Sequence, residues 1–69
     1  MRDHLERLVS EMLDKGVPYE DVRRELEKLS ITRALQRTSG SVGEAADLLG
    51  VHRNTIARKI SEYRLKRGG

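Results

Sequence analysis

The chain has 69 residues, no cysteine and a formal net charge of +3, and 36% of its residues are charged, against about 25% in ordinary domains. The length fits one small domain, which buries only about 60% of the surface that its unfolded chain exposes. The missing cysteines exclude disulfides and thiolate metal sites, and His4 and His52 stand far apart with no ligand cluster, so we expect no metal and no cofactor. A partner subunit is the remaining support for so small a domain.

The charges are distributed unevenly along the chain. Residues 1–30 hold six Lys or Arg and eight Asp or Glu, a net of −2, whereas residues 51–69 hold six cations and one anion, a net of +5. A polyanion would therefore meet the C-terminal third of the chain. No apolar run approaches the roughly 18 residues of a membrane span, and no signal peptide is visible. We expect a soluble, cytoplasmic protein with no membrane partner.

The first helix is predicted from a one-faced apolar pattern. Its apolar residues, at offsets of 0, +3, +4, +7 and +8, are Leu5, Leu8, Val9, Met12 and Leu13. Asp3 can cap this helix, and Gly16 is expected to end it, because glycine takes the left-handed backbone of a helix end without strain. Pro18 suits the first position of the next helix, where its missing N–H costs nothing.

The second helix, predicted from about Tyr19 to Thr38, carries two apolar stripes. The first stripe is Tyr19, Val22, Leu26 and Leu29, and the second is Ile31, Ala34 and Leu35. Glu20 and Asp21 lie in its first turn, where the helix dipole favours anions. The offset between the stripes indicates one helix that serves two cores, and Ser39-Gly40 is expected to end it.

A short third helix is predicted from about Val42 to Leu49. Ser41 and Glu44 form a capping box, in which each side chain is expected to accept a hydrogen bond from the other residue's backbone N–H. Ala45 and Ala46 are small enough to allow close contact with another helix.

Gly50 is predicted to make a tight turn into a fourth helix. This helix starts near His52 or Arg53 and runs to about Tyr63, with Ile56, Ile60 and Tyr63 facing inward. The remaining residues 64–69 form a basic tail that we expect to fray. No strand signal appears, so the sequence predicts an all-α fold of four helices in one domain, residues 1–69.

The outward residues of the fourth helix are candidates for nucleic-acid binding. They are Arg53, Thr55, Arg58, Lys59 and Glu62. Arg53 and Asn54 stand in the first turn, which in a helix-turn-helix reaches base edges in the major groove. Arginine can donate two hydrogen bonds to guanine, and asparagine can pair with adenine.

Further side chains suit phosphate contacts. Ser41 and Thr55 carry short hydroxyls, and Arg58 and Lys59 lie one turn further along, where phosphates of the groove wall would be met. His52 is interpreted as a helix cap or base-adjacent contact rather than a metal ligand. A basic helix face alone is more often a solvated surface. The DNA hypothesis depends on its combination with a short helix, a glycine turn and an alanine pair.

Residues 19–65 resemble the DNA-binding domain shared by the nucleoid protein Fis and the C-terminal domains of NtrC-type enhancer-binding activators. The residues that carry the resemblance are Ala34-Leu35, Thr38, Gly40, Ala45-Ala46, Leu48-Leu49-Gly50, Arg53-Asn54-Thr55-Ile56, Arg58-Lys59-Ile60 and Glu62. The resemblance implies a homodimer in which helices from residues 1–38 of each chain intertwine into a four-helix core. Two helix-turn-helix units, residues 41–63, would project from that core.

The resemblance also implies roles for individual residues. Dimer contacts would come from Leu5, Leu8, Val9, Met12, Val22, Leu26 and Leu29. Ile31 and Leu35 would face Ala46, Leu49, Ile56 and Ile60. Arg53 would contact a guanine near each end of the site, with phosphate or neighbouring-base contacts from Ser41, His52, Thr55, Arg58 and Lys59. The chain departs from Fis at Ala57 and Glu44, where Fis has cations, and His52 replaces a more usual small polar residue.

The leading hypothesis is a sequence-preferring, dimeric DNA-binding domain of a bacterial transcription regulator, associated with the nucleoid and bound to palindromic double-stranded DNA. The alternatives are an architectural DNA-bending protein and, from another class, a helical protein–protein adaptor that docks through its first helix. An enzyme is least expected, since no carboxylate pair, nucleophile–base set or metal cluster is present. No phosphate-binding loop of the form G-x-x-x-x-G-K-[ST] occurs, so an ATPase or receiver domain would belong to a longer parent protein.

Overall fold

Four α-helices make up the computed structural model, which describes residues 1–66: α1 (Arg2–Lys15), α2 (Tyr19–Arg37), α3 (Val42–Leu49) and α4 (Arg53–Tyr63). The described residues contain no strand, which confirms the all-α prediction. The bounds of α3 are those predicted, and α2 ends one residue earlier than expected, at Arg37. None of the helices within residues 1–66 has the length and apolar character needed to cross a membrane.

The core lies where the C-terminal half of α2 meets α3 and α4. Its buried residues are Ile31, Ala34, Leu35, Val42, Ala45, Ala46, Ile56 and Ile60, with Leu49 and Leu65 packed against them. Ala45 and Ala46 are at most 1% exposed, which confirms that their small side chains allow close helix contact. The second stripe of α2 therefore faces the residues expected for it. Val42 is a core residue that the sequence analysis did not identify.

The turn from α2 to α3 is fixed by its own hydrogen bonds. Ser39 and Gly40 both have left-handed backbones, with φ of 54° and 85°. The Gly40 N–H donates to Leu35 O at 2.8 Å, and the Thr38 hydroxyl lies 2.9 Å from Ala34 O and 3.2 Å from Ser41 O. These contacts join the end of α2 to the residue that caps α3.

Gly50 sets the angle between α3 and α4. Its φ of 70° lies in the left-handed region, its N–H donates to Asp47 O at 3.2 Å, and the Val51 N–H donates to Ala46 O at 3.0 Å. A Cβ at this position would meet nothing within 4 Å. Glycine is therefore favoured by the backbone conformation rather than by lack of space.

Three local predictions need correction. Asp3 does not cap α1, since Met1 is the N-cap and Asp3 lies inside the first turn, where its carboxylate still complements the helix dipole. Pro18 is the extended N-cap of α2 rather than its first helical residue. Ser41 Oγ accepts from the Glu44 N–H at 3.2 Å, but no reciprocal bond forms because the Ser41 N–H donates to Thr38 O.

The tail also differs from expectation. Arg64 takes a left-handed conformation that ends α4, and the Leu65 N–H donates to Ile60 O at 2.9 Å. Leu65 packs against the core. The expected fraying is therefore wrong for the first residues of the tail, because an apolar side chain anchors them. Residues 67–69 lie outside the described residues.

The first stripe of α2 and the apolar face of α1 remain uncovered within one chain. No residue of α1 is buried, and α1 packs closely against none of the other helices. The exposed members of the two apolar surfaces are Leu5, Leu8, Val9, Leu13, Tyr19, Leu26 and Leu29, while Met12 and Val22 are half-buried. The second stripe of α2 is therefore buried in the core of the chain, whereas the first stripe is mostly exposed, in keeping with the offset between them.

Candidate nucleic-acid interface

The N-terminus of α4 is capped by an imidazole. His52 has an extended backbone, and its Nδ1 accepts a hydrogen bond from the Asn54 N–H at 3.1 Å. With Nδ1 used as the acceptor of this cap, Nε2 is the ring nitrogen that can donate to another group. This confirms the helix-cap interpretation of His52. The exposed ring keeps its own N–H for an acceptor outside the protein.

The N-termini of α3 and α4 open onto the same surface groove. Ser41, His52 and Arg53 line this groove, which brings together predicted site residues from two helices. Because Ser41 Oγ accepts a hydrogen bond from the Glu44 N–H, its hydroxyl proton is free to be donated elsewhere. Glu44 and Asp47 also line the groove. Their carboxylates make the α3 side less favourable to an anion than the α4 side.

The outer face of α4 presents cations to solvent. Arg53, Asn54, Ala57 and Arg58 are exposed. Arg53 lies only about 60° round the helix from the buried Ile56 and is exposed in the first turn, whereas Asn54 and Arg58 lie on the side away from Ile56. Arg58 lies about 160° round the helix from Ile56, at about 100° per residue. Within residues 1–66, neither arginine makes a salt bridge. Both guanidinium groups are therefore available to an external anion.

Thr55 lies on the flank of this face and is only half-exposed. Its backbone N–H donates to His52 O at 3.0 Å, within the first turn of α4. The expectation that Thr55 faces fully outward is therefore only partly met.

Lys59 does not lie on the outer face, and its expected orientation is wrong. Its Nζ lies 2.7 Å from Glu27 Oε2 on α2 and 5.7 Å from the centre of the Tyr63 ring. Only 20% of the side chain is exposed. The reason is helix geometry: Lys59 lies about 60° round the helix from Ile56, on the flank that faces α2. A helical projection of the sequence would have shown this flank position.

Glu27 is the residue that the sequence analysis missed. Its carboxylate contacts the Arg23 guanidinium on its own helix as well as Lys59 on α4. Arg23 in turn donates two hydrogen bonds to Glu20, at 3.0 and 2.9 Å. Lys28 Nζ lies 5.5 Å from the centre of the Tyr63 ring, so two ammonium groups approach this aromatic ring. Tyr63 is therefore a half-buried residue at a charged helix junction rather than part of the apolar core.

The contact between Glu27 and Lys59 shifts the pKa values of the two groups in opposite directions. The hydrogen bond from Lys59 lowers the pKa of the Glu27 carboxyl, and the charges of Lys59 and Arg23 lower it further. The same hydrogen bond raises the pKa of the Lys59 ammonium. Both groups therefore remain charged at neutral pH, and the contact is an ion pair.

No metal centre competes with this interpretation in the part of the chain that the structure describes. Residues 1–66 hold no group of three or more His, Asp or Glu side chains placed to bind a metal ion. The exposed side chains at the start of α4 carry hydrogen-bond donors and positive charge.

Comparison with known proteins places residues 22–63 in a family described as "Bacterial regulatory protein, Fis family". A protein of Xylella fastidiosa strain Temecula1, described as a Fis-like DNA-binding protein, is 34% identical over 94% of this chain and 79% of its own length. The DNA-binding transcriptional regulator NtrC is 43% identical in a Bradyrhizobium strain and 48% in Escherichia coli K12, over 68% and 61% of this chain. The matches span only 11% and 9% of those two regulators. No solved structure matches the chain.

Proposed function

The chain belongs to the Fis family of bacterial regulatory proteins, and we propose on this basis that its helix-turn-helix binds double-stranded DNA in the major groove with a preference for sequence. In this proposal α4 is the recognition helix and α3 lies across the phosphate backbone. The protein is the DNA-binding part of a transcription regulator. The NtrC matches favour a longer parent for domains of this kind, since they cover so small a share of those regulators.

The observation that carries the proposal is the pair of exposed polar residues at the start of α4. Arg53 and Asn54 are side by side in the first turn, both solvent-exposed, and Arg53 makes no ion pair within residues 1–66. An arginine there can donate two hydrogen bonds to guanine O6 and N7. Arg58, one turn further on, is suited to a phosphate of the groove wall, and Ser41 and His52 Nε2–H are suited to phosphates beside it.

A second part of the proposal is that the protein acts as a homodimer. Support comes from the uncovered apolar surface of α1 and of the first stripe of α2, including Leu8 and Leu26. Many exposed large apolar side chains on a small domain favour an interface. Two copies joined there would present two recognition helices to a palindromic site. Light scattering at micromolar concentration should give twice the monomer mass, and a folded monomer would contradict this part.

The recognition helix is tested with a matched pair of arginine variants in a gel-shift titration at one salt concentration. Arg53→Ala should weaken binding to a selected palindromic site by about 1–3 kcal/mol, which corresponds to about 5- to 150-fold. Arg7→Ala removes the same charge from α1 and should change the affinity little. If the two variants bind equally well, α4 is not the element that contacts the bases.

A further inference from the structure

Among residues 1–66, the pair between Glu27 and Lys59 is the one salt bridge that joins two helices. The other salt bridges there connect residues three or four positions apart on the same helix. The pair is also the least exposed, with 23% of the Glu27 side chain and 20% of the Lys59 side chain accessible. It links the helix with the uncovered apolar stripe to the proposed recognition helix.

From this contact we infer that Glu27 is a positioning residue that holds the Lys59 ammonium away from DNA phosphates and so raises the ratio of specific to non-specific DNA affinity. The inference rests on the proposed function, because it concerns how α4 discriminates among DNA sequences. It assigns Lys59 to the junction between α2 and α4 and leaves Arg58 as the phosphate-binding cation of this turn.

The geometry explains why an unpaired Lys59 would otherwise reach DNA. Lys59 follows Arg58 directly, so the two side chains leave the helix about 100° apart and about 1.5 Å apart along its axis. A lysine stem is long and flexible, and its ammonium can turn toward a neighbouring surface. Without Glu27, a second cation would therefore stand at the edge of the proposed DNA-binding face.

Such a cation would add affinity without adding selectivity. Each phosphate neutralised by a lysine releases counterions and strengthens binding to every sequence alike. Glu27 prevents this by binding Nζ at 2.7 Å, while the Tyr63 ring lies beneath the same ammonium. Arg23, on the preceding turn of α2, contacts Glu27 and holds its carboxylate in place.

The test is the salt dependence of binding to a random duplex and to a selected site, measured for the parent and for Glu27→Gln. The variant keeps the shape of the side chain and removes its charge. Freeing Lys59 should steepen the plot of log affinity against log salt by about 0.9 per protomer, which enlarges the loss of affinity between 50 and 200 mM salt by about 3.5-fold for each protomer, or about 12-fold for a dimer. The ratio of specific to non-specific affinity should fall at the same time.

The matched control is Glu20→Gln. Glu20 lies on the same helix and pairs with the same Arg23, but within residues 1–66 it forms no salt bridge with Lys59. The Glu20→Gln variant therefore measures how the loss of one negative charge from α2 changes the salt dependence of DNA binding. The double variant Glu27→Gln/Lys59→Gln should return the slope to the parent value, because the cation freed by the first change is absent. A merely structural role for Glu27 would not produce that return.

The outcomes separate this inference from the proposed function. If Glu27→Gln and Glu20→Gln have the same slope while Arg53→Ala still weakens site binding, the inference is wrong and the proposed function stands. If the parent binds no DNA, the proposed function itself fails. Should Glu27→Gln unfold, Lys59→Gln alone decides: an unchanged slope supports the inference, and a slope shallower by about 0.9 per protomer overturns it.

Discussion

Leu35→Ala tests whether the helix-turn-helix depends on the junction of α2, α3 and α4. Leu35 is 1% exposed and is the largest side chain with less than 2% exposure in the described core. It lies in the second stripe of α2, among residues of both other helices. Truncation removes its apolar contacts and leaves a cavity that the surrounding helices can only partly fill.

Leu35→Ala is expected to lower the free energy of unfolding by a large amount for a protein of this size. A leucine buried to this degree costs about 2–5 kcal/mol when replaced by alanine. A chain of 69 residues has a total stability of roughly 3–10 kcal/mol at the usual 0.05–0.15 kcal/mol per residue. One substitution should therefore remove a large share of it and lower Tm by more than about 10 °C, at about 4–8 °C per kcal/mol.

The matched control is Leu48→Ala on α3, where the leucine is 58% exposed. Its effect should stay within about 0.5 kcal/mol, as for other surface changes. Urea unfolding followed by circular dichroism, at one protein concentration for all variants, measures both. If Leu35→Ala shifts the urea midpoint no further than Leu48→Ala, the core assignment is wrong.

Three further predictions concern the turns, the caps and the charged junction. Gly50→Ala should destabilise the fold by about 1–2 kcal/mol, because alanine is strained in the left-handed backbone at this position. Gly43→Ala lies inside α3 with open space around it and should stabilise the fold by about 0.5 kcal/mol. Thermal melts in which both variants shift Tm in the same direction would refute this contrast. Ser41→Ala should cost about 0.5–2 kcal/mol in urea unfolding, because the Glu44 N–H loses its acceptor, and an unchanged midpoint would contradict the cap. Folding lowers the pKa of the Glu27 carboxyl below its unfolded value of about 4.5. The stabilisation that Glu27 contributes is therefore fully present above about pH 4.5 and is lost as the pH falls through the lower pKa of the folded state. The gap between parent and Glu27→Gln melts should therefore be widest above about pH 4.5 and narrow as the pH falls below it, and a constant gap would count against the ion pair.

Local signals in the sequence were sufficient for most of the fold. Ser41 and Gly50 mark the two ends of α3 because each satisfies a requirement of the backbone at a helix end, and such requirements do not depend on the rest of the molecule. The second stripe of α2 identified part of the core, because its apolar spacing places three residues on one side of the helix, where they pack against α3 and α4.

The junction of α2 and α4 could not be predicted in this way. Glu27 and Lys59 are 32 positions apart in the sequence, and their pairing depends on the angle at which α2 and α4 cross, which no local pattern encodes. A helical projection places Lys59 on the flank of α4, but it does not name the carboxylate that meets it. The start of α1 was also not predictable from a local pattern. Asp3 is an acceptable cap residue, but the helix already begins at Arg2, so Asp3 lies inside it.

The central claim is that α4 selects DNA by sequence, and the ratio of specific to non-specific affinity tests it most directly. The site is first obtained by selection from random duplexes. Affinities for that site and for a scrambled duplex are then compared at 150 mM salt. We expect a palindromic site with guanines in both halves and a ratio of about 10³ or more, which Arg53→Ala lowers. A ratio near one that Arg53→Ala leaves unchanged would show that α4 does not select DNA by sequence. That result would favour an architectural protein that binds DNA without sequence preference.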